Sequence, residues 1–221
     1  MTVTIGCYHA HYSNIDIIEK ALKPYDVELL HFVDPGLDRR KSDPLFLLEK
    51  AQHKIKETLD WVAASRVDAI LITCTFFTAH MPADLDYGIP MIKIDDPLFD
   101  SICESDRPPL LVFTNPATVQ GTLERLIRYS LLKGKQLDLQ SQTVEQSFEL
   151  LMQGRKDAYV ELVSAGLKKL TEEHPEREVW AAQLSMVQSA EETERACGVR
   201  VGNPLKALVD HMVEKLQLGT S

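Results

Sequence analysis

A cysteine that closes an apolar strand and opens a helix can be an activated thiol, and Cys74 stands in that position. The apolar run Ala69-Ile-Leu-Ile-Thr73 precedes it, and hydroxyls flank it at Thr73 and Thr75. The positive end of a following helix dipole lowers a thiol's pKa, whereas a cysteine merely packed at a strand end is an inert apolar side chain. Three further segments share this character: residues 8–14, 114–118 and 185–189 each follow a strand-like run and are rich in polar side chains. In open parallel sheets ligands bind at the carboxyl ends of strands, and helix N-termini there favour a carboxylate or phosphate.

Cys7, His9 and His11 alternate, so in an extended chain they would project to one side. With Cys74 they would compose a tetrahedral Cys/His set, but the spacing matches no established zinc motif, so no metal is expected. His9 or His11 reads instead as a ligand-contacting or proton-donating group, or as a histidine satisfied within its loop. Asp95-Asp96 is read as the end of a fourth strand, shaping the segment between the halves. His80 is assigned to surface or packing, Trp61 to the core and residues 172–175 to a solvated helix end. No Gly-rich nucleotide loop occurs.

The elements that must position these residues alternate along the chain. Strands are expected at 3–8, 27–33, 68–73 and 90–94, and again at 109–114, 136–139, 178–184 and 199–202. Their starts are separated by about 24, 41 and 22 residues, then by about 27, 42 and 21, which suggests one βαβ-type unit used twice. Helical periodicity is plain from Pro44 to Ala64, with Leu47, Leu48, Ala51, Ile55, Leu59 and Val62 on one stripe. It recurs at 144–152, at 157–170 beyond Gly154, and from Pro204 to Leu216. The expected fold is α/β. Two similar lobes each hold a short, mostly parallel four-stranded sheet flanked by helices, related by a pseudo-twofold with a cleft between them. The first lobe is expected to comprise residues 1–97 and 203–221, and the second 98–202.

Composition bounds the function. The chain has 221 residues, 24 basic and 33 acidic, for a net charge of −9, and 44% of its residues are hydrophobic. That balance supports real cores and argues against nucleic acid or an anionic membrane as partner. No apolar stretch approaches the roughly 18 residues of a membrane span. The first six residues are not basic and read as a strand, so no signal peptide is expected. Cys7, Cys74, Cys103 and Cys197 suggest no disulfide framework, so a cytoplasmic protein with free thiols is expected.

Asp68-Ala-Ile-Leu-Ile-Thr-Cys-Thr75, followed by Ile89-Pro-Met-Ile-Lys-Ile-Asp95, resembles the aspartate/glutamate racemase superfamily. That superfamily includes glutamate, aspartate and hydantoin racemases, arylmalonate decarboxylase and maleate isomerase. His31-Phe-Val-Asp-Pro-Gly-Leu37, the spaced threonines of 114–122 and Ala182-Gln-Leu-Ser-Met186 look like further parts of it, so the likeness runs from about Thr4 to Val213. It implies a two-lobed enzyme in which one thiolate removes a Cα proton and a second thiol reprotonates from the other side. Carried over, Cys74 matches the first-lobe cysteine and Thr75 the adjacent carboxylate-binding hydroxyl. Thr114 and Thr118 match the threonines of the second lobe's first loop. Ser185 stands where the partner thiol belongs, and a serine hydroxyl is essentially un-ionised at neutral pH. Cys197 lies well beyond that position.

The expectation is therefore a cofactor-independent, racemase-like isomerase acting at Cα of a small carboxylate. Cys74 and Ser185 are its acid/base candidates, and Thr75, Thr114, Thr118, His9 and Asn14 its substrate contacts. The partner expected is that small-molecule carboxylate, with a homodimer left open. A single-cysteine decarboxylase or cis–trans isomerase is the alternative among enzymes. A catalytically decayed protein that binds a small carboxylate is the alternative of another class.

Overall fold

The computed structural model describes residues 2–40, 46–82 and 84–220. It divides into two compact units: Met1–Asp96 with Leu208–Ser221, and Pro97–Ala207. In the first, β1 (Val3–His9), β2 (Val27–Val33), β3 (Ala69–Ile72) and β4 (Met91–Lys93) form one sheet in the order β2-β1-β3-β4. All its pairings are parallel, with Cys7 beside His31 and Leu71, and Ile70 beside Met91. Helices α1 (Ser13–Leu22), α2 (Pro35–Arg40), α3 (Leu48–Ala64) and α4 (Thr75–His80) connect these strands.

All four residues of β3 are fully buried, as a central parallel strand covered on both faces requires. Ala51, Ile55, Leu59 and Val62 form the buried stripe of α3, each of the larger side chains contributing roughly 1.5–3 kcal/mol. That stripe is shorter than the sequence suggests. Leu47 and Leu48 are 58% and 52% exposed, and Pro44, the expected start, lies outside the described residues. Trp61 is 69% exposed rather than core, because it sits two residues past Leu59 and so points away from the stripe. Gly6 explains how closely α3 lies on the sheet: a Cβ there would run into Val62 Cγ1.

After α5 (Asp95–Glu104), whose first two residues belong to the first unit, the pattern repeats. Strands β5 (Pro109–Phe113), β6 (Gln140–Thr143), β7 (Glu178–Ala181) and β8 (Val201–Gly202) pair in the order β6-β5-β7-β8, again all parallel. They are joined by α6 (Val119–Leu132), α7 (Ser147–Met152), α8 (Lys156–Glu173) and α9 (Val187–Cys197), and α10 (Pro204–Leu216) follows. The repeat read from strand spacing is thus a repeat of strand order.

Two further expectations are corrected. The second strand of this sheet is Gln140–Thr143, not 136–139. An edge strand with one bonded neighbour needs no apolar alternation, and the apolar Leu137 and Leu139 pack against the core just before it. Asp95 and Asp96 do not end a strand: β4 stops at Lys93, and they begin α5, where acidic residues suit the helix dipole.

Candidate active site

In the order β2-β1-β3-β4 the chain steps outward from β1 to β2 and then crosses back to β3. The loops leaving β1 and β3 therefore diverge, opening the crevice in which such sheets bind ligands. Cys74 occupies that point. It is half-buried with extended backbone, φ −117° and ψ 118°, and caps α4 by accepting the Thr78 N–H at 3.0 Å. No disulfide joins any of the four cysteines.

The turn that Cys74 opens is tied to Asp95, a carboxylate that the sequence reading places at a strand end rather than at the site. Asp95 is 2% exposed and accepts hydrogen bonds from the Thr75 hydroxyl (3.2 Å) and the Thr78 hydroxyl (2.8 Å). It ties both hydroxyls of the Cys74 turn to the start of α5. The proton of Thr75 is directed at Asp95, so an anion arriving at this turn would meet the early backbone N–H groups of α4.

His9 is fully buried at the end of β1. Its Nδ1 lies 2.8 Å from Thr73 Oγ1 and its Nε2 2.8 Å from His31 Nδ1, while Asn14 Nδ2 donates to the same Thr73 hydroxyl at 3.2 Å. His9 and Asn14 thus converge on the residue preceding Cys74. Burial, reinforced by the neighbouring His31, lowers the His9 pKa to about 4, so its imidazole is neutral at pH 7. His31, also lowered by burial, escaped sequence reasoning; its position beside Cys7 in the parallel register is what brings it here. His11 turns away, exposed and bonded to Ser13 Oγ at 2.8 Å, because β1 ends at His9. Cys7 is wholly buried, and desolvation pushes its thiol up to about 12.

The second unit assembles an equivalent cluster at the ends of β5 and β7. Gln183 Oε1 accepts from the Thr114 backbone N–H (2.7 Å), the Thr114 hydroxyl (2.9 Å) and the Asn115 N–H (3.0 Å). Its Nε2 reaches Thr118 Oγ1 at 3.4 Å. The Tyr159 hydroxyl, carried in by α8, donates to Ser185 Oγ at 3.0 Å and lies 3.3 Å from Thr114 Oγ1. Thr114, Thr118 and Ser185 are therefore brought together, through two residues that sequence reasoning missed. Gln183 lay within the flagged Ala182–Met186 segment, whereas Tyr159 gave no signal beyond its place on a buried helical stripe. A surface depression of about 660 Å³ beside Phe32, Asp34, Thr58 and Trp61 includes none of these residues.

Two parallel four-stranded sheets of one strand order, with polar clusters at their switch points, define an α/β protein. No family model matches the chain, and no curated protein matches it by sequence. Solved structures do. The aspartate racemase of Picrophilus torridus superposes with a TM-score of 0.70, covering 99% of this chain and 96% of its own, at 12% identity. A glutamate racemase of Bacillus anthracis gives 0.70 over 97% and 82%, at 14% identity. An allantoin racemase of Pseudomonas fluorescens gives 0.64 over 99% and 94%, at 16% identity. The chain has the fold of these aspartate, glutamate and allantoin racemases, and at these identities the likeness is one of fold.

Proposed function

We propose that the protein is a cofactor-independent isomerase of the racemase kind, acting at the stereogenic carbon of a small carboxylate or related acid. The observation that carries this reading is Cys74, half-buried at the switch point of the first sheet on a turn fixed by Asp95. In the proposed reaction the Cys74 thiolate takes the Cα proton. The Cα–H bond breaks, an S–H bond forms, and the electron pair is delocalised into the adjoining carbonyl as an enolate. Backbone N–H groups at the start of α4 are assigned to hold the developing charge. Reprotonation of carbon completes the cycle.

Ser185 is assigned as the partner proton donor, with Tyr159 behind it. Because Tyr159 donates to Ser185 Oγ, the serine's own proton is left to be directed elsewhere. A hydroxyl is a much weaker acid than a thiol, and this favours a second reading in which Cys74 alone both removes and returns the proton. A single-cysteine decarboxylase or cis–trans isomerase likewise needs only one protonation face; in the decarboxylase it is CO2, not a proton, that leaves the carbon that the thiol then protonates.

The test is proton exchange at carbon. Aspartate, glutamate and allantoin, the compounds named for the structural neighbours, are incubated with the protein in D2O and followed by proton NMR. Loss of the signal at the stereocentre together with inversion is expected for one of this class, and exchange with retention for the single-thiol reading. Cys74→Ala should slow exchange by about 10²–10⁴-fold. Unchanged exchange in that variant would sink the assignment of the base.

A further inference from the structure

We propose that Cys7, His9 and His31 form a binding site for one zinc-class transition-metal ion, buried in the first unit and structural in role. This inference is independent of the racemase reading, since no proposed proton transfer runs through the ion. It rests first on placement. Cys7 and His9 are two residues apart on β1 and so share a face, and His31 lies beside Cys7 in the parallel register of β2. Their donor atoms all lie within 4.8 Å of one another. One thiol and two imidazoles are the borderline-soft donor set that zinc and its neighbours prefer.

The hydrogen bonding around the pair carries the argument further. Thr73 Oγ1 lies within 3.4 Å of the Tyr8 carbonyl oxygen, to which it donates, and accepts from Asn14. Where His9 Nδ1 in turn supplies the proton of their 2.8 Å contact, His9 Nε2 is left bare toward His31 Nδ1. At the other end, His31 Nε2 is buried without a hydrogen-bond acceptor inside bonding distance, 3.6 Å from the Glu19 carboxylate. If His31 carries its proton on Nε2, toward Glu19, its Nδ1 is bare as well. Two lone pairs then face each other at 2.8 Å. If it carries the proton on Nδ1, that clash is relieved, but a bare Nε2 faces an anionic oxygen. With His9 in this tautomer, neither neutral form of His31 satisfies both ends of the pair.

A cation between the inner nitrogens does satisfy both. Each imidazole would then hold the ion through one nitrogen and be oriented by an outer partner on the other, a hydroxyl for His9 and a carboxylate for His31. That is the outer-shell arrangement by which metal-binding histidines are held in register. The ion would take Cys7 as thiolate, and with Glu19 nearby its two positive charges are balanced. Donors of a tetrahedral site stand roughly 3.3–3.8 Å apart, so the two imidazoles need separate by only about 0.5 Å. The set differs from the one suggested by sequence spacing: His31 replaces His11, and Cys74 is not a member.

The test uses the full chain after chelator treatment, titrated with Co²⁺ as a spectroscopic probe and then with Zn²⁺ in competition with a chromogenic chelator. One ion per chain is expected, with a thiolate-to-cobalt charge-transfer band in the near ultraviolet. That band should be retained in Cys74→Ser and His11→Ala and lost in Cys7→Ser. His31→Ala should weaken Zn²⁺ at least tenfold. Because substitution of a buried donor can disturb folding, Glu19→Gln supplies a second measurement that leaves all three donors in place, with an expected weakening of about 10–100-fold. Binding without the thiolate band, or a band that survives Cys7→Ser, would overturn the proposal, as would Zn²⁺ affinity unchanged in both Glu19→Gln and His31→Ala.

Discussion

Tyr159 shows how a residue remote from any loop can govern a candidate proton donor. It is 1% exposed on α8, and burial raises its pKa, against smaller lowering contributions from the Ser185 and Thr114 contacts. The hydroxyl therefore stays protonated and acts as a donor to Ser185, holding that side chain in one rotamer. Tyr159→Phe removes this bond with almost no change of volume. A stability loss of about 1 kcal/mol in urea titrations is expected. Carbon-exchange turnover should fall with little change in KM, as for a positioning residue whose effect passes through Ser185. If Ser185 is the donor, Tyr159→Phe in a Ser185→Ala background should have no further effect on turnover; a full additional loss would place Tyr159 in another role. The same scale shows where sequence reasoning stops. Cys74, Thr114 and Ser185 were legible because their types and strand-end positions imply chemistry. Asp95, Gln183 and Tyr159 act through contacts with residues 17 to 69 positions away, a separation that no local pattern encodes.

At the scale of elements, two glycines should respond oppositely to the same change. Gly6 lies in β1 under α3, where an added Cβ meets Val62, a stiff β-branched side chain. Gly121 lies in α6, where an added Cβ would meet nothing within 4 Å beyond its chain neighbours and its own helix backbone. Gly6→Ala should lower stability by about 1–3 kcal/mol through overpacking. Gly121→Ala should raise it by roughly 0.5–1 kcal/mol through helix propensity and a less flexible unfolded chain. Denaturant midpoints measure both, and a Gly6→Ala midpoint at or above wild type would show that α3 can lift off the sheet. Elements whose residues are buried on both faces were readable, as β3 and β5 show with every residue buried. The polar edge strand β6, Gln-Ser-Gln-Thr, was not, because its place follows from pairing with β5 rather than from its composition. Helix α10 was read to the residue, since Pro204 at its first position and Asn203 capping the N–H groups of Leu205 and Lys206 are local signals.

For the whole molecule, the net charge of −9 and the buried histidine pair make opposite predictions about acid. Acidification from pH 7 toward the pI near 5.3 reduces self-repulsion, which by itself would stabilise the native state. Those charges are mostly exposed, however, and at 0.15 M ionic strength the screening length is about 8 Å, so the gain is small. His9 behaves differently. Its native pKa of about 4 lies below its unfolded value near 6.5, so between these limits the unfolded chain binds more protons than the native one. Stability must therefore rise with pH across this window and fall as pH drops from 6.5 toward 4, by up to about 3 kcal/mol for His9 alone. The groups facing it, Thr73, Asn14, Cys7 and His31, supply no carboxylate to offset this. Glu19 faces His31, where it opposes but does not cancel the lowering by burial. In metal-free protein at constant salt, the urea midpoint should thus decline from pH 6.5 to pH 5, and His9→Gln should flatten the decline. A midpoint that climbs toward the pI equally in both proteins would mean that surface charge, not the buried pair, sets the acid limit of the fold.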